Sequence, residues 1–227
     1  MTSEAKFLEN IGRRLGRPMP DRKPDHPFRG APRFWHDFAL TPEERIAWFA
    51  KNWGAAGGHI VRLPSVEKAK TWICEEVTAR KAKTILLQNQ TELRAMNLEE
   101  ALPEVRIAVW DETPVEEWKP LAAEADIGLI VADGAAAYTG TIVTCSSPQK
   151  GRSVSLLPPV LFAVVHTRDI RTRLGEIMTS FGAMTLAELP AGVHFISGPS
   201  RSSDIENDLT IGVHGPGTVY ALIVGEE

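Results

Sequence analysis

An α/β fold, with a mixed but mostly parallel sheet flanked by helices, is the architecture this sequence predicts. Three observations lead there. Short apolar runs at 84–87, 105–109 and 127–131 are each separated by a stretch long enough for a helix, and strands alternating with helices make parallel βαβ units. Segments with helical periodicity and recognisable caps stand between several other runs. From Thr139 to Val165 the rhythm changes. Three apolar segments follow one another there with no room for helices between them, which reads as a mixed or antiparallel insert in an otherwise doubly wound sheet.

The elements follow in order. Residues 5–15 place Phe7, Leu8, Ile11 and Leu15 at helical spacing. Residues 17–32 are rich in Pro, Arg and Asp and read as an extended, mobile segment able to pack on another subunit. Thr41-Pro42-Glu43-Glu44 is a helix start, with Thr as N-cap and Pro in the first position; the helix should run to about Trp53 and stop at Gly54. Residues 57–63 form a short strand, and Ser65 opens a helix to about Ala79. The runs at 84–87, 105–109 and 127–131 are buried strands. Residues 169–181 read as a helix with Ile170, Leu174, Ile177, Met178 and Phe181 on one face, and 193–196 and 219–224 as the last strands. This gives an N-terminal helix and extended Pro-rich segment over 1–40 and one α/β domain over 41–227.

Composition bounds the function. A chain of 227 residues, 43% hydrophobic and 24% charged, is an ordinary globular protein. A formal net charge of −4 argues against a nucleic-acid surface. No apolar run approaches the ~20 residues of a membrane helix, and Met1 to Lys6 is polar, without a signal-peptide core. A cytoplasmic protein with no membrane span is expected. Cys74 and Cys145 are the two cysteines. They supply neither a disulfide framework nor a four-cysteine iron–sulfur site, so any such centre would sit in a partner. Cys145 reads more readily as a small buried strand residue than as a reactive thiol. No dinucleotide fingerprint, phosphate loop, H-E-x-x-H or G-x-S-x-G occurs, and the histidines (26, 36, 59, 166, 194, 214) are scattered. No metal site is predicted.

Two polar stretches carry the chemistry. In the first, His194 to Glu206, an apolar run enters a Gly198-Pro199 turn and then Ser203-x-x-Glu206. That pattern reads as strand, tight loop and helix start, with Ser203 capping and Glu206 reaching back. Ser197, Gly198, Ser200 and Arg201 would then lie at a helix N-terminus, a geometry that binds anions. Gly212-Val213-His214-Gly215-Pro216 follows, which adds an imidazole to the stretch. The second stretch runs from Thr139 to Val160. Gly140, between Thr139 and Thr141, lets a ligand approach the backbone. Ser146 and Ser147 offer hydroxyls, and Arg152 a planar fork for a carboxylate or phosphate. From the residues alone two readings stand: one anion pocket built from these segments, or turn chemistry with surface arginines.

Thr139-Gly140-Thr141, Gly151-Arg152 with Ser155-Leu156-Leu157-Pro158-Pro159, and Ile196 to Arg201 through Glu206 and Gly212 to Pro216 together resemble the bacterial lactate utilization protein C family (LutC/YkgG) of LUD-domain proteins. The motifs occupy roughly the last 90 residues, in the family's order. The resemblance implies a fold similar to the NagB/RpiA/CoA-transferase superfamily, with a site along the carboxyl edge of the strands. It implies a component of an L-lactate utilization system, in which lactate is oxidised to pyruvate with partner subunits that bear iron–sulfur clusters. This chain is then expected to be a ligand-binding or assembly subunit, with no cofactor of its own and a small anionic ligand. A free-standing enzyme of the CoA-transferase or sugar-phosphate-isomerase type, and a purely structural interaction protein, are the alternatives. One departure stands out. Relatives commonly carry an acid just before Thr-Gly-Thr, and here Tyr138 takes that place; a phenol donates a hydrogen bond but is not anionic near pH 7.

Overall fold

A computed structural model describes residues 2–16, 38–202 and 209–225, in two units, residues 1–39 and residues 40–227. In the first unit, Thr2 caps α1 (Ser3–Arg14). Phe7, Leu8, Ile11 and Leu15 are exposed along it. The expected extended segment at 17–32 lies outside the described residues.

The second unit is built on a parallel sheet of six strands. They are β1 (His59–Leu63), β2 (Thr84–Leu87), β3 (Arg106–Val109), β4 (Ile127–Val131), β7 (Val160–His166) and β12 (Thr218–Val224), in the spatial order β1-β12-β7-β4-β2-β3. Alternation along the strands makes two cores. On one face Leu161, Ala163 and Val165 meet α2 (Pro42–Ala55) and α6 (Val115–Glu124) through Phe49, Trp53, Trp118 and Leu121. On the other, Phe162 and Val164 meet α3 (Val66–Arg80), α4 (Thr91–Ala95) and α5 (Leu98–Ala101) through Ile73, Val77, Leu93 and Leu98. A strand buried on both faces has no polar side, which explains the unbroken apolar runs in the sequence.

The helix starts form as their residues dictate. Thr41 accepts from the Glu44 amide at 3.3 Å while Glu44 accepts from the Thr41 amide at 2.8 Å, a reciprocal cap ahead of Pro42. Ser65 caps α3.

The region of changed rhythm forms a second, four-stranded sheet. It comprises β5 (Gly134–Ala136), β6 (Thr141–Cys145), β8 (Ile170–Arg171) and β9 (Val193–Ile196), in the order β8-β5-β6-β9. β6 runs antiparallel to β5 and β9, and β8 parallel to β5. Two expectations are corrected here. A single helical turn, α7 (Ser153–Leu156), does fit between β6 and β7. The helix expected over 169–181 begins only at Leu174 (α8, Leu174–Gly182), after Ile170 and Arg171 have paired with Ala135 and Ala136. The Arg171 and Thr172 carbonyls accept from the amides of Ala137 and Tyr138. Pairing with a buried strand satisfies more backbone than the first turn of an isolated helix would, so it prevails over periodicity.

Candidate functional site

The Thr-Gly-Thr segment is held against the end of α2. Gly140 has φ +56°, and a Cβ there would stand 2.5 Å from the Trp53 amide nitrogen and 2.6 Å from the Asn52 carbonyl carbon. Asn52 donates to the carbonyls of Ala137 and Tyr138, each at 2.9 Å. The missing side chain at Gly140 therefore admits a helix. The sequence predicts a ligand against that backbone, and the structure puts the end of α2 there. Gly198, at φ +81°, does the same for the Ala56 carbonyl. Thr141 Oγ1 lies 2.7 Å from Thr139 Oγ1 and 2.8 Å from Ser197 Oγ, so the two stretches read from the sequence meet in one hydroxyl cluster. Arg201 donates to the Ala56 carbonyl at the end of α2; its guanidinium thus serves a helix C-terminus, where cations are favoured. Tyr138, just before Thr139, stacks its ring on Trp48 with centroids 6.2 Å apart.

Arg201 and Ser202 form β10 (Arg201–Ser202), paired antiparallel with β11 (Thr210–Ile211), where the sequence suggested the approach to a helix. Ser203 and Glu206 lie outside the described residues. Gly212 donates to the Ser200 carbonyl and Ser200 to the Pro216 carbonyl, which ties the first polar stretch to the His214 turn.

The remaining candidates divide between two clefts. Ser197, Gly198, Ser200 and His214 line a recess of about 370 Å³ with Ser155 and Leu156. Leu161 and Val219 also line it, near the amino ends of β7 and β12. Ser146, Ser147 and Arg152 line a cleft of about 700 Å³ with Trp110, Lys150 and Glu188. This second cleft sits by the carboxyl ends of β2 to β4, because the 146–150 loop is pinned there. Asn89, just past β2, donates to the Gln149 carbonyl, and Trp110, just past β3, donates to that of Pro148. Asp133, just past β4, accepts from the Lys150 ammonium and the Cys145 amide. The single pocket expected from the sequence is thus two, and only the Arg152 cleft lies at the expected strand edge. α7 divides them: Ser153 faces one and Ser155 the other. It lies flat on the sheet because a Cβ at Gly128 would overlap the Val154 carbonyl, and the Trp118 indole donates to Ser153 at 2.8 Å.

The charges in the larger cleft are unequal. Lys150 is neutralised by Asp133 at 2.5 Å. Glu188 accepts from the Thr185 amide and hydroxyl, which hold its carboxyl below the ordinary range. Arg152 is exposed, and its guanidinium has no ion-pair or hydrogen-bond partner among the described residues. Burial, with Asp133 nearby, pushes the Cys145 thiol up to about 11. It is a protonated strand residue at neutral pH.

Sequence reasoning missed a facing pair of side chains, of which His194 lies near Arg152. Thr144 on β6 and His194 on β9 are directly paired. Thr144 Oγ1 and His194 Nε2 are both buried without a hydrogen-bond partner among the described residues. Burial and the Arg152 charge hold the His194 pKa below its ordinary value. The signal was a polar residue at an inward position of each strand, next to Ile142 and Ile196, but it is readable only once the register of β6 on β9 is known. A further pair, His166 Nε2 to Glu92 Oε2 at 2.7 Å, closes the carboxyl end of β7. No helix among the described residues is long and apolar enough to cross a membrane, and no group of three or more His, Cys, Asp or Glu among them is placed to hold a metal ion.

The chain is similar to several known proteins. The family model of the LUD domain matches residues 46–224. Lactate utilization protein C of Halalkalibacterium halodurans is 34% identical over 165 residues, 72% of this chain and 70% of that protein. The protein of the same name from Shouchella clausii is 28% identical over 223 residues, 97% of each chain. The uncharacterized protein YkgG of Escherichia coli is 26% identical over 240 residues, 99% of each. A crystal structure of a DUF162 family protein from Deinococcus radiodurans is similar with a TM-score of 0.59 at 20% identity, covering 82% of this chain and 99% of that one, a likeness of fold.

Proposed function

Since this chain belongs to the LUD domain family, we propose that it serves lactate utilization as a subunit that binds a small anion in the Arg152 cleft. The names of its relatives support the process. The Arg152 guanidinium, without a partner among the described residues, at a cleft of about 700 Å³ is the observation that carries the binding role. A planar cation with five donors and no carboxylate of its own is a receptor for a carboxylate, which it can take in two parallel hydrogen bonds. The other cation candidate, Arg201, is occupied by the end of α2.

In this reading the electron transfer from lactate belongs to partner subunits with iron–sulfur clusters. The chain has two cysteines, on α3 and β6, where a cluster of that type takes four. The subunit presents or senses the anion within that assembly.

Thermal-shift measurement on the full chain tests the binding role, with lactate, pyruvate, phosphate, CoA and sugar phosphates. A ligand at ~100 times its dissociation constant stabilises by about 2.7 kcal/mol. The shift should vanish in Arg152→Ala, whose melting temperature without ligand stays near wild type because the side chain is exposed. Arg201→Ala should melt lower and keep the shift. A ligand shift that survives Arg152→Ala and is lost in Arg201→Ala would refute this assignment.

A further inference from the structure

We propose that the cavity beside the edge strand β3 is a docking site for a basic segment of a partner protein. The segment seats one large apolar side chain against Trp110 and Trp118 and lays Lys and Arg residues on the carboxylates around them.

The cavity lies where the chain leaves β3 and enters α6. It measures about 610 Å³, and Trp110, Pro114, Val115, Trp118 and Pro148 form its apolar walls. β3 is the last strand of the six-stranded sheet, so the sheet itself does not continue over this side. Both indole N–H groups are already used: Trp110 donates to the Pro148 carbonyl and Trp118 to the Ser153 hydroxyl, each at 2.8 Å. An indole has no other polar atom to offer, so the two rings present hydrocarbon to the cavity. They cross at 87° with centroids 4.9 Å apart, which makes a corner rather than a closed stack. Val115, in the first turn of α6, is 72% exposed at the same cavity. An apolar hole with an exposed aliphatic side chain beside it is the form of a pocket that takes one large anchor of a partner.

Charge decides which partner. Residues 99–126, from α5 through β3 and past α6, hold nine Asp and Glu against Arg106 and Lys119. This stretch is more acidic than the whole chain, whose formal net charge is −4, so the rest of the chain is net basic. Asp111 and Glu112 line the cavity against Lys119, and Glu116 and Glu117 stand exposed on the first turn of α6. Glu112 is paired with Arg94 at 3.2 Å and Glu117 with Arg106 at 3.4 Å. Asp111 accepts from the neutral Asn89 amide at 2.8 Å, and Glu116 has no ion pair among the described residues. Acidic flanks on the anchor would be repelled here and basic ones attracted. Complementary charge speeds the encounter and fixes its orientation, while the buried anchor holds the complex together. The cavity shares Trp110 and Pro148 with the Arg152 cleft but not its arginine, so this inference does not depend on the anion reading.

Selection of random displayed peptides on the immobilised full chain tests this. Enriched sequences should carry Phe, Leu, Met or Trp flanked by Lys and Arg. The strongest binder, labelled and titrated by fluorescence anisotropy, should lose about tenfold or more in affinity when its apolar anchor is changed to alanine, and as much against Val115→Arg. Asp111→Asn combined with Glu116→Gln should weaken it several-fold, and so should raised salt. All three positions are exposed, so unchanged melting temperatures should show that the variants fold. Arg152→Ala should bind the peptide as wild type does. Enrichment of acidic or uncharged sequences, peptides that bind Val115→Arg equally well, or no enrichment over the bare support overturns the inference. A dimer of the full chain in sedimentation velocity that is lost in Val115→Arg would give the cavity to a second copy and overturn it as well.

Discussion

Gly140→Ala separates a packing glycine from a ligand-binding one. At φ +56° an alanine costs about 1–2 kcal/mol for the left-handed backbone alone. Its methyl would stand 2.5 Å from the Trp53 amide nitrogen, and backbone cannot rotate away as a flexible side chain would. α2 must therefore retreat, although Phe49 and Trp53 are fully buried and Asn52 is tied to two carbonyls. Overpacking of this kind costs about 1–3 kcal/mol. The sum is a loss of about 2–5 kcal/mol, or roughly 5–15 °C in melting temperature for a domain of this size. Urea titration gives the free energy, and the slope should stay near wild type because the exposed surface on unfolding is the same. Anion binding at Arg152, on a different segment, should persist in the folded fraction. A loss below about 1 kcal/mol accompanied by loss of ligand binding would show that Gly140 faces a ligand and refute the packing argument.

Other consequences are equally direct. Thr144→Val removes a buried, unpaired hydroxyl and should stabilise the ligand-free protein by about 1 kcal/mol, read as a higher urea midpoint; a clear loss would mean that the hydroxyl is already satisfied. His194 gives a pH signature. Its folded pKa lies below the unfolded value, so the two states bind protons alike above about pH 6.5, and below it the unfolded chain takes up a proton that the folded chain refuses. Stability present at neutral pH is therefore lost as pH falls, by at most about 1.4 kcal/mol per unit, and His194→Gln should flatten that component in melts between pH 7.5 and 5.5. Arg152→Ala, by removing a like charge, should bring the folded His194 pKa closer to the unfolded value, which leaves the onset of the loss unchanged and makes the loss smaller; an unchanged profile would place the arginine too far away to act.

The fold and its caps were legible because they are local. Thr41-Pro42-Glu43-Glu44 and Ser65 specify helix starts through hydrogen bonds within three residues, and the apolar runs of β2, β4 and β7 announce burial on both faces. The family resemblance was carried by other residues, Thr139 to Pro159 and Ile196 to Pro216, because a motif order survives in the linear chain. The misread segments were those whose partners lie far away. Ile170 has helical periodicity, yet its backbone pairs with Ala135; Arg201 reads as an anion donor, yet it closes the end of a helix that stops at Ala55.

The candidate site shows the same division. Its residue types and segments were visible in the sequence, and so was the pairing of the Ser197 stretch with the Thr139 stretch. Tertiary structure decided which of those residues face a cleft and which face each other. Gly128 lets α7 lie on the sheet and divide one expected pocket into two, and the register of β6 on β9 sets Thr144 beside His194. Composition and local hydrogen bonding determine what a segment can form by itself. The direction a polar side chain faces depends on close packing and strand register, which involve residues far apart in sequence, and so only the folded chain settles it.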